Sequence, residues 1–173
     1  MSSTRIGFST PKRYNPLSAL IRRVTDSETS HTWFLYYDED FKMDVVMESH
    51  LTGFRLIPFS AFEKHHRVVS ITCPEVDLDG ALAKMAMWVG SNYDFMGLLG
   101  VGFTRLGRFL KHKWKNPFSG SKYMFCSEAC VRVLQWAGFP KADELNPDST
   151  SPQDLLDFLR LATVVKSAVT RVP

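Results

Sequence analysis

Hydrophobic residues recur along the chain with two different spacings, one typical of strands and the other typical of helices. Between residues 31 and 73, short apolar or aromatic runs alternate with polar turns, which is typical of strands. The predicted strands are residues 31–37, 43–49, 54–58 and 68–73. Acidic residues at 38–40 mark a turn between the first two, so we expect an antiparallel meander, with residues 6–8 as a further short strand.

Elsewhere, apolar residues recur at three- and four-residue spacing, which predicts helices. These begin at Asn15–Pro16, at residue 81 (ending near 89), at Cys126 and at Ser151. Asn15 and Ser151 are good helix N-caps, because their side-chain oxygens can accept from backbone N–H groups of the first turn, and each is followed by a proline at the first helical position. Residues 161–169 are predicted to be a last strand or a tail. The pattern predicts one α+β domain over residues 1–173, with a sheet of about four to six antiparallel strands packed against helices.

Composition and charge narrow the classes of function. The chain has 173 residues, 45% of them hydrophobic, and a net charge of +3, which is too small to indicate a nucleic-acid partner. Its three cysteines, with no signal peptide visible at the start, argue against a disulfide framework. No apolar run reaches the length of a transmembrane helix. We expect a cytoplasmic protein, or one delivered without a classical signal peptide.

Cys126 lies at the change from a polar loop to an amphipathic helix. A helix N-terminus favours a thiolate, because its backbone N–H groups are unpaired and its dipole is positive there. The backbone N–H of Cys126 is also well placed to stabilise an oxyanion. The alternative is that Cys126 is a small buried hydrophobe. Cys130, one helical turn later, is expected to pack in the core, and Cys73 is expected to be structural rather than catalytic.

A nucleophilic cysteine needs a base, and the base needs a group that orients it. Of the five histidines, His31 begins a strand directly after a polar loop, and His50 is its main rival. Glu48 ends an apolar strand, and a hairpin turning at 38–40 would bring its carboxylate near the His31 ring. The remaining histidines are expected to be solvated loop residues: His65, His66 and His112. A metal site at His65 and His66 has no zinc-like spacing to support it, so we expect neither metal nor cofactor.

Five short segments occur in a fixed order. They are Ser-His-Thr-Trp at 30–33, Val-Met-Glu-Ser at 46–49, Gly-Phe-Arg-Leu-Ile-Pro-Phe at 53–59, Tyr-Asp-Phe at 93–95 and Phe-Cys-Ser-Glu at 125–128. This order resembles the circularly permuted branch of the NlpC-type papain-like cysteine hydrolases, the YiiX-like amidase group. That branch is related to the lecithin retinol acyltransferase-like proteins and to a poxvirus family. The stretch 151–155 resembles a Thr-Pro-x-Asp-Leu segment near the end of such proteins.

The resemblance implies a papain-like fold in which the histidine precedes the cysteine. It makes Cys126 the nucleophile, His31 the general base and acid, and Glu48 the orienting group, with Tyr93 as a candidate contributor to the oxyanion site or pocket. The chain departs from the pattern at Thr32 and Trp33, where the family has Val-Gly. Some relatives use a second histidine, so His50 stays an alternative to Glu48 as third residue.

The expected function is therefore that of a cysteine amidase or peptidase acting through an acyl-enzyme. Its substrate would be a peptide, cell-wall peptidoglycan or an acyl lipid. The alternatives are a lipid-directed thiol acyltransferase or esterase, and a binding module that keeps the fold without turnover. The basic, aromatic residues 103–115 either steer an anionic substrate, touch a membrane surface, or form the solvated face of a helix.

Overall fold

An α+β arrangement built on one antiparallel sheet is seen in the computed structural model, which describes residues 4–50, 52–92 and 124–169. Tyr93, His112 and the basic segment 103–115 lie outside the described residues. The strands are β1 (Arg5–Pro11), β2 (His31–Asp38), β3 (Met43–His50), β4 (Gly53–Pro58) and β5 (His66–Thr72). The helices are α1 (Pro16–Thr25), α2 (Phe59–His65), α3 (Asp79–Met85), α4 (Cys126–Trp136) and α5 (Pro152–Val169). Short 3₁₀ turns follow at Ala86–Trp88 and Ala142–Glu144.

The five strands lie in the order β4-β3-β2-β1-β5, and every neighbouring pair is antiparallel. The predicted meander is confirmed for β2, β3 and β4. It is wrong for the fourth predicted strand, because β5 pairs with β1 at the opposite edge rather than with β4. Pro58 ends β4, and α2 then packs against β3 and carries the chain across the sheet.

The helix starts follow the predicted caps. Asn15 Oδ1 accepts a hydrogen bond from the backbone N–H of Ser18 at 3.0 Å, with Pro16 as the first helical residue. At α5, Ser151 and Asp154 form a reciprocal capping box, in which each side chain accepts from the other's backbone N–H. The prediction of a strand or tail at 161–169 is wrong. No glycine or proline interrupts the chain between 153 and 169, so α5 continues to Val169.

Two apolar clusters cover the two faces of the sheet. The larger joins β1, β2 and β3 to α3, α4 and α5, with Phe34 and Leu134 among its buried members. The smaller lies under α2 and contains Trp33 and Phe62. Alternation along β2 explains the division, since Trp33 and Phe34 point to opposite faces. Among the described helices, none has both the length and the apolar character needed to span a bilayer.

Trp33 is accommodated by a glycine on the neighbouring strand. Its ring is fully buried, its Nε1 donates to Ser9 Oγ at 3.1 Å, and Gly7 lies opposite it in the β1–β2 register. A Cβ atom on Gly7 would lie 2.3 Å from the Trp33 ring. The Trp33 ring can therefore pack in this place only because residue 7 of β1 is a glycine.

We expect Gly7→Ala to lower the free energy of unfolding by about 1–3 kcal/mol, because the buried indole cannot move aside without disturbing its packing. Gly80→Ala is the matched control, since a Cβ there meets no heavy atom within 4 Å and alanine favours the helix. Urea unfolding of the two variants and the wild type measures the difference. Equal stability of Gly7→Ala and wild type would contradict the close packing.

Candidate active site

His31 and Glu48 are joined by a short hydrogen bond. Phe34 lies opposite Met47 in the β2–β3 register, and by alternation this places His31 and Glu48 on one face of the sheet. His31 Nε2 lies 2.5 Å from Glu48 Oε2, and the two side chains are 13% and 0% exposed. An ionised carboxylate only accepts hydrogen bonds, so Nε2 donates and Nδ1 is left for another partner. The proximity predicted from the hairpin is confirmed.

Arg55 holds the other carboxylate oxygen. It lies opposite Glu48 in the β3–β4 register, and its Nε and Nη2 donate to Glu48 Oε1 at 2.9 and 2.7 Å. Burial alone would raise the pKa of Glu48, but the hydrogen bonds and positive charges of His31 and Arg55 outweigh it and hold that pKa at about 2. The pattern of hydrophobic and polar positions did not predict this role of Arg55. Counting outward from a pairing of His50 with Gly53 would have placed it opposite Glu48.

Cys126 is the first residue of α4 and is only 3% exposed. Its position is fixed by contacts of the two residues that precede it, one with α1 and one with β3. Phe125 is buried against Leu17 and Ile21 of α1, while Ser49 Oγ of β3 donates to the Met124 carbonyl at 2.5 Å. The strand that carries Glu48 is thus tied directly to the segment that leads into Cys126.

The Cys126 thiol forms a hydrogen bond with the His31 side chain. Burial would raise the pKa of Cys126, but hydrogen bonding to His31, the imidazolium charge and hydrogen bonds from Thr32 lower it below the ordinary thiol value. Burial would likewise lower the pKa of His31, but hydrogen bonds to Cys126 and Glu48 raise it to about 10. The site therefore favours a thiolate–imidazolium pair, with Glu48 behind the imidazolium.

His50 has a different partner. Its Nδ1 lies 3.0 Å from Thr52 Oγ1, and burial together with the charge of Arg55 lowers its pKa. The structure thus places Glu48, rather than His50, on the His31 ring.

The prediction that His66 is a solvated loop residue is wrong, because α2 brings it back to the sheet as the first residue of β5. Its ring stacks on Phe62 at 4.2 Å and lies 5.8 Å from the His31 ring. Burial and the charge of His31 lower the pKa of His66 to about 4, so it is neutral at pH 7. Its neighbour His65 ends α2 and is exposed.

The other two cysteines differ in environment. Cys130 is 1% exposed and lies in the larger apolar cluster, as expected. Cys73 is exposed, and it follows the last residue of β5, which is an edge strand.

Within the described ranges, no group of three or more His, Cys, Asp or Glu side chains is close enough to hold a metal ion. The sequence matches no family model and no curated protein.

Proposed function

We propose that the chain is a papain-like cysteine hydrolase of the permuted type, acting on an amide or ester bond through an acyl-enzyme. The observation that carries the proposal is the continuous series of contacts from Cys126 to His31 to Glu48. A cysteine at a helix N-terminus, a histidine bonded to it and a buried carboxylate on the second ring nitrogen are the parts that thiol acyl transfer requires.

The first step follows from the charge states of the pair. The Cys126 thiolate attacks the substrate carbonyl carbon, and the negative charge moves onto the carbonyl oxygen. The backbone N–H of Cys126, at the start of α4, is the candidate donor to that oxygen. The His31 imidazolium then gives its proton to the leaving amine or alcohol, and a thioester to Cys126 remains.

The second step uses His31 as a base. Neutral imidazole takes a proton from water as the water attacks the thioester carbonyl. The bond to sulfur then breaks, the acid product leaves, and the enzyme again holds the Cys126 thiolate and the His31 imidazolium. Glu48 keeps Nε2 protonated and fixes the plane of the ring throughout. A lipid-directed acyltransferase shares the first step, and differs in passing the acyl group to a second acceptor instead of water.

The competing proposal is a binding module that keeps the fold without turnover. Alkylation by iodoacetamide separates the two. We expect Cys126 to react at least about tenfold faster than Cys73 near neutral pH, because hydrogen bonding to His31 and the imidazolium charge stabilise the Cys126 thiolate. Solvent exposure alone would make Cys73 react faster than Cys126, since Cys73 is exposed and Cys126 is buried.

The rates are read by mass spectrometry on the separate cysteine peptides. Denatured protein is the control, because all three cysteines should then react alike. Faster labelling of Cys73 than of Cys126 in the folded protein would contradict the enzyme proposal. A panel of cell-wall peptides, acyl esters and acyl thioesters, with and without an added acyl acceptor, then identifies the substrate class.

A further inference from the structure

Thr32 lies between two thiols of α4. It follows His31 in β2, is 1% exposed and points to the face of the sheet on which α4 packs. Cys126 and Cys130 are four residues apart, so both face the same side of the helix. The Cys130 thiol donates to Thr32 Oγ1 at 3.5 Å. Hydrogen bonding from the backbone N–H and from the hydroxyl of Thr32 is among the causes that lower the pKa of Cys126.

The direction of these hydrogen bonds follows from the number of protons. Burial raises the pKa of Cys130 well above its ordinary value, so its thiol stays protonated and acts as a donor. A threonine hydroxyl carries a single proton. When its oxygen accepts from Cys130, that proton remains available for Cys126, whose thiolate can only accept.

We propose that Thr32 stabilises the Cys126 thiolate through its hydroxyl and backbone N–H, and that Cys130 is a positioning residue that orients the hydroxyl. This inference rests on the proposed function and deepens it. The second cysteine of α4 thereby acquires a role beyond packing: its S–H proton turns the Thr32 hydroxyl toward the reactive sulfur.

Thr32→Val tests the hydroxyl with a side chain of nearly the same shape. We expect it to raise the pKa of Cys126 by about one unit, because one hydrogen bond to a charged group is lost. On the acidic limb of the alkylation profile the rate should then fall about tenfold. The rate at the alkaline plateau should stay level or rise, because a more basic thiolate is a better nucleophile. Thr32→Ser is the matched control, because it keeps the hydroxyl.

Cys130 is tested by its coupling to Thr32. Cys130→Ala should raise the pKa of Cys126 by less than Thr32→Val does, because the hydroxyl is left in place but is no longer oriented. Cys130→Ser keeps a proton donor and should leave the pKa of Cys126 close to that of wild type. In a Thr32→Val background, Cys130→Ala should cause no further shift.

The readout is the pH dependence of alkylation of the Cys126 peptide, with circular dichroism to check folding. These variants give a second route through Cys130 if Thr32→Val does not fold. A lowered pKa of Cys126 in wild type, unchanged in Thr32→Val or in Cys130→Ala, would overturn this inference and leave the proposed function intact. A wild-type Cys126 that titrates like an ordinary thiol would overturn both. A lower plateau with an unmoved acidic limb would indicate lost packing alone, and would overturn the inference.

Discussion

Cys126→Ala is expected to abolish acyl-enzyme formation and to lower turnover of a responsive ester or amide by at least about a thousandfold. The reason is that alanine removes the proposed nucleophilic sulfur, while the His31–Glu48 pair and the buried surroundings of α4 stay in place. Turnover is followed with the first substrate found in the panel, and the acyl adduct is followed by the mass of the Cys126 peptide. Folding should be retained, because the substitution removes one sulfur at a helix start.

Cys73→Ala is the matched control for that experiment. It removes a thiol from an exposed position outside the site, and turnover should stay within about twofold of wild type. An acyl adduct on Cys73 or undiminished turnover by Cys126→Ala would show that another nucleophile does the chemistry.

The local parts of the candidate site were predictable from the sequence because each follows from a short pattern. A polar loop followed by an amphipathic run places Cys126 at a helix N-terminus, and α4 does begin there. Two apolar runs around an acidic turn make a hairpin, and its register alone brings Glu48 to His31. Each of these predictions depends only on the position of a single turn or of a single helix start.

The parts that were missed depend on contacts between segments far apart in the chain. β1 lies between β2 and β5, so the position of β5 depends on pairing with residues 5–11 rather than on any neighbouring pattern. The environment of His66 follows from this, because α2 must cross the sheet to bring it near His31. Hydrophobic periodicity describes each segment separately and does not determine such pairings.

Residues 161–169 were predicted wrongly for a different reason. Their β-branched residues favoured a strand, but the capping box at Ser151 and Asp154 starts a helix that no glycine or proline interrupts before Val169. Intrinsic propensity is a weak preference, so the helix already formed overrides it.

Glu48→Gln is expected to impair the site and the fold together. Glutamine keeps the shape of the side chain but not its charge, so His31 loses the carboxylate that raises its pKa and Arg55 loses its buried counterion. Turnover should fall at least about a hundredfold, since the imidazolium that maintains the thiolate is destabilised. The free energy of unfolding at pH 7 should fall by about 2–3 kcal/mol, because the three charge-assisted hydrogen bonds that His31 and Arg55 make to the buried carboxylate are weakened.

The pH dependence of stability identifies Glu48 as the cause. Its pKa is about 2 in the folded protein against an ordinary value of 4.5, so its contribution is complete above about pH 4.5 and is lost as the pH falls toward 2. Urea unfolding between these values should therefore show a smaller loss of stability in Glu48→Gln than in wild type.

His50→Ala is the matched comparison for Glu48→Gln, because His50 is the rival third residue and lies on the same strand. Its ring is bonded to Thr52 rather than to His31, so its removal should change turnover by no more than about threefold and the free energy of unfolding by about 0.5 kcal/mol. If His50→Ala lowers turnover more than Glu48→Gln does, the orienting group is His50. The 2.5 Å contact between Glu48 and His31 would then serve folding alone.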